Sequence, residues 1–160
     1  MNRMKKRIAS AAAVVGMAAS VVLGGAATAS ANTHPEDAPP GYGGPFSTCK
    51  GAPRAYFPLE GTSGYVQVWL SSEGSGTYCA MTFDNLPGDH HTEVILQHAG
   101  WASRWYDSGM YSTYAGGIYV SDANTLCAYV YGEVTVNGVP HTLHTPSPPT
   151  RYGVGWNIVC

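Results

Sequence analysis

The side chains able to do chemistry in this 160-residue chain are six histidines, ten carboxylates, four cysteines and a concentration of tyrosine and tryptophan. Histidine invites a metal reading at His90-His91, and at His141 with His144. Adjacent residues on a strand diverge and residues three apart face opposite sides, so neither spacing suits shared ligation. There is no helical HExxH pattern and no C-x-x-C spacing, so no metal site is expected and no cofactor is implied. Asp84, Asp89, Glu93 and Asp107 are the acids available for general acid or base work, but nothing in their spacing marks a pair. The nearest strings to a nucleophile elbow, Gly61-Thr62-Ser63-Gly64 and Gly74-Ser75-Gly76, lack the G-x-S-x-G form. The inventory points away from catalysis.

The aromatics are the stronger signal. Trp101 to Val120, WASRWYDSGMYSTYAGGIYV, holds two of the four tryptophans and four of the eleven tyrosines. Their rings either stack on sugar-like ligands or bury in a core, while the indole N–H and phenol seek hydrogen bonds. Trp105 and Tyr106 are adjacent and point oppositely if extended, so part of the cluster must reach the surface. The candidate binding set is Trp101, Arg104, Trp105, Asp107, Tyr111 and Tyr114, with the two charged residues orienting a ligand beside a stacking face.

What must position these residues is a β domain behind an export segment. Arg3, Lys5, Lys6 and Arg7 precede an Ala/Val/Gly-rich run from Ile8 to about Ala27, and Ala29-Ser30-Ala31 fits a small-x-small cleavage site. The run is long enough for a marginal membrane anchor, but its Ala/Gly content and the site that follows favour a cleaved signal peptide over residues 1–31. From Asn32 onward, Lys50, Arg54, Arg104 and Arg151 are the four basic residues against ten acidic ones, a net charge of −6. Such a surface repels nucleic-acid phosphates and anionic membranes, so neither is an expected partner.

All four cysteines, Cys49, Cys79, Cys127 and Cys160, follow the signal, and an even count in an exported chain reads as two disulfides. Three pairings are open. The preferred one is Cys49–Cys79 with Cys127–Cys160, in which each bridge closes a loop of about thirty residues without crossing. Residues 32–46, NTHPEDAPPGYGGPF, read as a flexible Pro/Gly-rich leader outside the core, and the domain is expected over 47–160.

Within the domain the pattern is β throughout. Tyr65 to Leu70 alternates, with Val66, Val68 and Leu70 on one face and Tyr65, Gln67 and Trp69 on the other. A Ser71–Gly76 turn leads to a partner strand over Thr77–Phe83, and Thr92–Gln97 follows as a third. Ile118–Val120 and Leu126–Tyr131 flank the SDAN turn. Glu133–Val136, Asn137-Gly138 and Val139 onward form a hairpin, and Tyr152–Cys160 closes the chain. No sustained helical period is present. The expected architecture is a single all-β antiparallel sandwich or barrel-like domain stapled by two disulfides.

The string WYDSGMYSTYAGGIYV, with Thr77-Tyr78-Cys79 before it and Leu126-Cys127 after it, resembles the spore-associated protein A family, small secreted proteins of filamentous actinobacteria. An Ala-rich signal, a cysteine near the start of the domain and another at the C-terminus are similar features, and the resemblance covers most of Cys49–Cys160. It implies an extracellular protein found with spores or aerial growth, and it carries over no catalytic residue. The resulting expectation is a secreted spore- or cell-surface-associated protein without catalysis that binds wall or sheath polysaccharide. Two alternatives accompany it. One is an inhibitor of an extracellular hydrolase presenting the Arg54–Gly64 segment as a rigid loop; the other is a small cell-wall hydrolase using Asp84, Asp89 or Asp107. The sequence leaves the oligomeric state open.

Overall fold

The computed structural model describes residues 34–146 and 150–160; the expected export segment and cleavage site lie outside them. Among the described residues ten strands form two antiparallel sheets. They are β1 (Tyr42–Gly43), β2 (Ala52–Pro58), β3 (Tyr65–Ser71), β4 (Thr77–Phe83), β5 (His90–His98), β6 (Trp105–Tyr111), β7 (Tyr114–Ser121), β8 (Ala128–Val136), β9 (Val139–Thr142) and β10 (Trp156–Val159). The first sheet is ordered β1-β7-β4-β3-β2 and the second β10-β8-β5-β6, with β9 also on β8. The sheets pack face to face as a sandwich. Val66, Val68, Tyr78, Ala80, Ile118 and Val120 from one meet Val94, Leu96, Val130 and Val134 from the other.

Period-two burial explains most of this. In β3 Val66 and Val68 are buried between half-buried Tyr65, Gln67 and Trp69, and β8 buries Val130, Gly132 and Val134 while turning Tyr129, Tyr131 and Glu133 outward. The hairpin of β3 and β4 and the Asn137-Gly138 turn form as the sequence predicts. Asn137 and Gly138 both take positive φ, at 52° and 78°. Both bridges have the preferred pairing, Cys49–Cys79 and Cys127–Cys160.

Several expectations change. The described part of the expected 32–46 leader does not lie wholly outside the core. Tyr42 and Gly43 pair with Val120 and Tyr119, and Tyr42 is buried. The Tyr42 hydroxyl donates to the Ser103 carbonyl at 2.7 Å and accepts the His98 N–H at 3.1 Å, so a segment without periodicity is fixed by one aromatic anchor. The domain therefore includes at least Tyr42 onward. Arg54–Gly64 is not a free loop, because its first part belongs to β2 and Leu59 is buried in the core. The Arg54 guanidinium donates to the Cys160 carbonyl, tying β2 to the end of β10. The closing strand is shorter than Tyr152–Cys160, covering only Trp156–Val159.

Glycine misleads at two places. The expected Leu126–Tyr131 and Glu133–Val136 strands merge from Ala128 onward into one strand, β8, that runs through Gly132, where a Cβ would come within 2.1 Å of Val66 Cγ2. Gly132 is thus a contact point between the sheets rather than a break. The Gly116-Gly117 pair likewise lies inside β7, beside a register shift against β4, and not before a strand. Ser112-Thr113 links β6 in the second sheet to β7 in the first.

Candidate ligand-binding face

Of the six sequence-derived candidates, the strand parity of β6 sends three inward. Trp105, Asp107 and Tyr111 share the buried face, with Trp105 only 6% and Asp107 2% exposed. The Trp105 indole N–H donates to the Gly44 carbonyl at 3.2 Å. Asp107 accepts the Tyr111 hydroxyl at 2.8 Å and the Gly116 N–H at 2.7 Å. Burial, then the hydrogen bond to and charge of Asp107, push the Tyr111 phenol far above its ordinary value. Trp101 is half-buried, stacked on the His98 ring with centroids 4.2 Å apart and edge-on to Tyr42 at 5.5 Å. Arg104 is exposed and Tyr114 half-buried. The two tryptophans are packing residues, and the aromatic of this stretch that is exposed is Tyr106.

Half-buried aromatics line the outer face of the first sheet. Tyr65, Phe83 and Tyr114 occupy one row across β3, β4 and β7, since Tyr65 pairs with Phe83 and Phe83 with Tyr114. Their centroids are 4.9 and 6.0 Å apart, and Tyr56 extends the row from β2 at 4.7 Å. Neighbouring planes at 33° and 21° mean that Tyr56, Tyr65 and Phe83 spend much of their faces on one another. This row armours the sheet more than it offers a flat surface.

A second aromatic unit on the same face has a different geometry. The chain between β1 and β2 crosses the sheet, held by the Phe46 N–H to the Gly117 carbonyl at 3.1 Å and by Cys49–Cys79. Gly117, at φ 71°, permits the crossing, because a Cβ there would come within 1.9 Å of the Phe46 carbonyl oxygen. Phe46 lies parallel to Tyr119, with planes 6° apart and centroids at 5.7 Å, and is 50% exposed. It forms part of the wall of two clefts. The smaller, about 330 Å³, brings together Asp107, Tyr111 and Tyr114 from the sequence-derived set, with Ser112 and Thr113. The larger, about 620 Å³, has Tyr119, Lys50, Glu73, Thr48, Ser71 and Thr77 around it. Aromatic rings beside hydroxyls and one charge of each sign match the division of labour in a site for a polar, ring-shaped ligand.

Tyr65 and Trp69 were legible as the face opposite Val66 and Val68. Phe46, Lys50, Glu73 and Tyr119 were not singled out, because cysteine pairing and glycine spacing bring them together rather than any motif.

Asp84 and Asp107 accept hydrogen bonds within the fold. Asp84 is buried, 2.6 Å from His90 Nδ1, and accepts the Leu86 N–H at 3.0 Å; Asp89 is exposed in the turn before β5. His141 Nδ1 and His144 Nδ1 both contact Glu60, at its carbonyl and its carboxylate respectively. Among the described residues no group of three or more His, Cys, Asp or Glu is placed to hold a metal ion. The outer face of the second sheet carries a string the sequence did not reveal. Ser108 Oγ lies 3.1 Å from His91 Nε2, and the Tyr131 and Thr135 hydroxyls donate to Glu133. His91 Nδ1 is 4.0 Å from Glu133, too far for the hydrogen bond that would orient a catalytic imidazole. Glu93 pairs directly with Glu133, and its carboxyl is raised above its ordinary value by burial first and by Glu133 second.

No family model, curated protein or solved structure matches this chain.

Proposed function

We propose that the chain is a secreted, non-catalytic module of the spore or cell surface that holds wall or sheath polysaccharide on the outer face of its first sheet. The observation that carries this reading is Phe46, parallel to Tyr119 and shared by two clefts edged with hydroxyls and with Lys50 and Glu73. Sugar rings stack on such faces while their hydroxyls bond to the polar rim. The export-type segment and the two disulfides support an extracellular setting. Among the described residues no helix is long and apolar enough to cross a membrane. The resemblance to the spore-associated protein A family supports the surface location. The inhibitor reading loses its loop, since Arg54 is occupied by Cys160 and much of the segment is strand. The hydrolase reading loses Asp84 and Asp107 to hydrogen bonds within the fold, and Asp89 stands in an exposed turn apart from both clefts.

Co-sedimentation with isolated cell walls and spore sheaths tests the proposal. Wild type should leave the supernatant with the wall material, whereas Phe46→Ala and Tyr119→Ala should stay behind with an unchanged Tm. Wild type that ignores both materials, or variants that sediment as wild type does, would overturn it.

A further inference from the structure

We infer, resting on the polysaccharide reading of the same site, that the larger cleft takes a zwitterionic glycan, one whose sugars carry both a free ammonium and a carboxylate. Lys50 and Glu73 stand on the wall of that cleft with opposite charges, and both are exposed. Among the described residues every ion pair involves a histidine, so these two are not paired with each other. The hydrogen bonds of Glu73 are those of its backbone, and the Lys50 ammonium makes none. Two charged groups of opposite sign therefore share one cleft with their bonding capacity unspent.

The backbone beneath each charge is held. Lys50 follows Cys49, whose bridge to Cys79 ties it to β4. Glu73 lies in the turn between β3 and β4, where its N–H donates to Ser71 Oγ at 3.4 Å and its carbonyl accepts the Gly76 N–H at 3.0 Å. On either side of it, the Ser72 and Gly74 carbonyls accept from Asn124 Nδ2 at 3.1 Å each. The two charges thus have fixed stations, which lowers the ordering cost of binding a ligand that reaches both.

The distribution of charge selects a ligand with both signs. From Asn32 onward the net charge of −6 opposes a polyanion. Yet Lys50 is the only lysine in that span, and it stands at the cleft, where it opposes a polycation. The arginines are placed elsewhere. Arg54 donates to the Cys160 carbonyl, Arg151 lies over the Tyr129 and Tyr152 rings, and Arg104 is exposed just before β6. A sugar bearing both groups directs its carboxylate to Lys50 and its ammonium to Glu73 in charge-assisted hydrogen bonds, while ring faces stack on Phe46 and Tyr119.

Competition for isolated walls in about 0.15 M salt, where long-range charge is screened, tests this. The competitors share one β-linked backbone. Cello-oligosaccharides are neutral, carboxymethyl-cellulose oligomers carry carboxylates, chitosan oligomers carry ammonium groups, and carboxymethyl-chitosan oligomers carry both. The last should displace wild type from the walls at about tenfold lower concentration than any other. Glu73→Gln should reduce carboxymethyl-chitosan to the level of carboxymethyl-cellulose, and Lys50→Gln should reduce it to the level of chitosan, each with an unchanged Tm. Wild type that binds walls but is displaced equally by all four, by none, or first by a singly charged competitor would overturn the inference and leave the polysaccharide reading standing. A preference for carboxymethyl-chitosan that survives both substitutions would also overturn it. Wild type that ignores the walls would overturn both.

Discussion

The two aromatic assemblies differ in what their rings touch. Around Trp101, Trp105 and Tyr111 the rings meet core residues, His98 and backbone carbonyls, and their polar atoms are spent on Gly44 and Asp107. Around Phe46 and Tyr119 the rings meet each other, hydroxyls and open clefts. The first assembly is contiguous in sequence; the second is gathered from a crossing segment and β7. Local density of aromatics therefore marks the core here, and the candidate site is built by long-range pairing.

The sharpest way to break this contrast is Trp105→Ala. If Trp105 is core, its removal should cost about 3–5 kcal/mol in denaturant unfolding and leave wall binding intact wherever the variant is folded. A stable variant that no longer binds would move the site back to the first assembly. Next in size is removal of the bridge beneath the second assembly. Cys49→Ser with Cys79→Ser should cost about 2–4 kcal/mol and also weaken wall binding, because the bridge pins the segment that carries Phe46 and Lys50. Cys127→Ser with Cys160→Ser should cost a similar amount and spare binding in the folded fraction, which the same unfolding and co-sedimentation measurements would show.

The smallest effect belongs to the polar face of the second sheet. The Glu93 carboxyl is raised, so the folded state holds its proton more tightly than the unfolded state does. Its contribution to stability is fully present below the ordinary carboxylate value and is lost as pH rises through the raised one. Glu93→Gln should flatten that descent and raise Tm slightly at neutral pH, without altering wall binding. A pH series of thermal melts checks the sign.

Legibility followed physical cause. Where burial alternates strictly, as in Tyr65–Leu70, the sequence shows both the strand and its outward face. The Asn137-Gly138 turn is legible because a two-residue hairpin demands positive φ. β2 escaped because Pro53 and Pro58 suit an edge strand as well as a loop, and β1 because Tyr42 is the one anchor in a Pro/Gly context. Gly132 and Gly117 read as breaks, yet each exists to let a neighbour approach, Val66 in one case and the Phe46 carbonyl in the other. Composition does not distinguish those uses. The candidate site depends on the second use, which is why only Asp107, Tyr111 and Tyr114 of the sequence-derived set reach a cleft.

The most direct test of the central claim is an NMR titration of the exported protein with soluble oligosaccharides released from isolated walls. The account predicts that the ring signals of Phe46 and Tyr119 shift in a saturable way while the indole N–H of Trp105 stays where it is. Shifts centred on Trp101 and Trp105, or none at any aromatic ring, would contradict it.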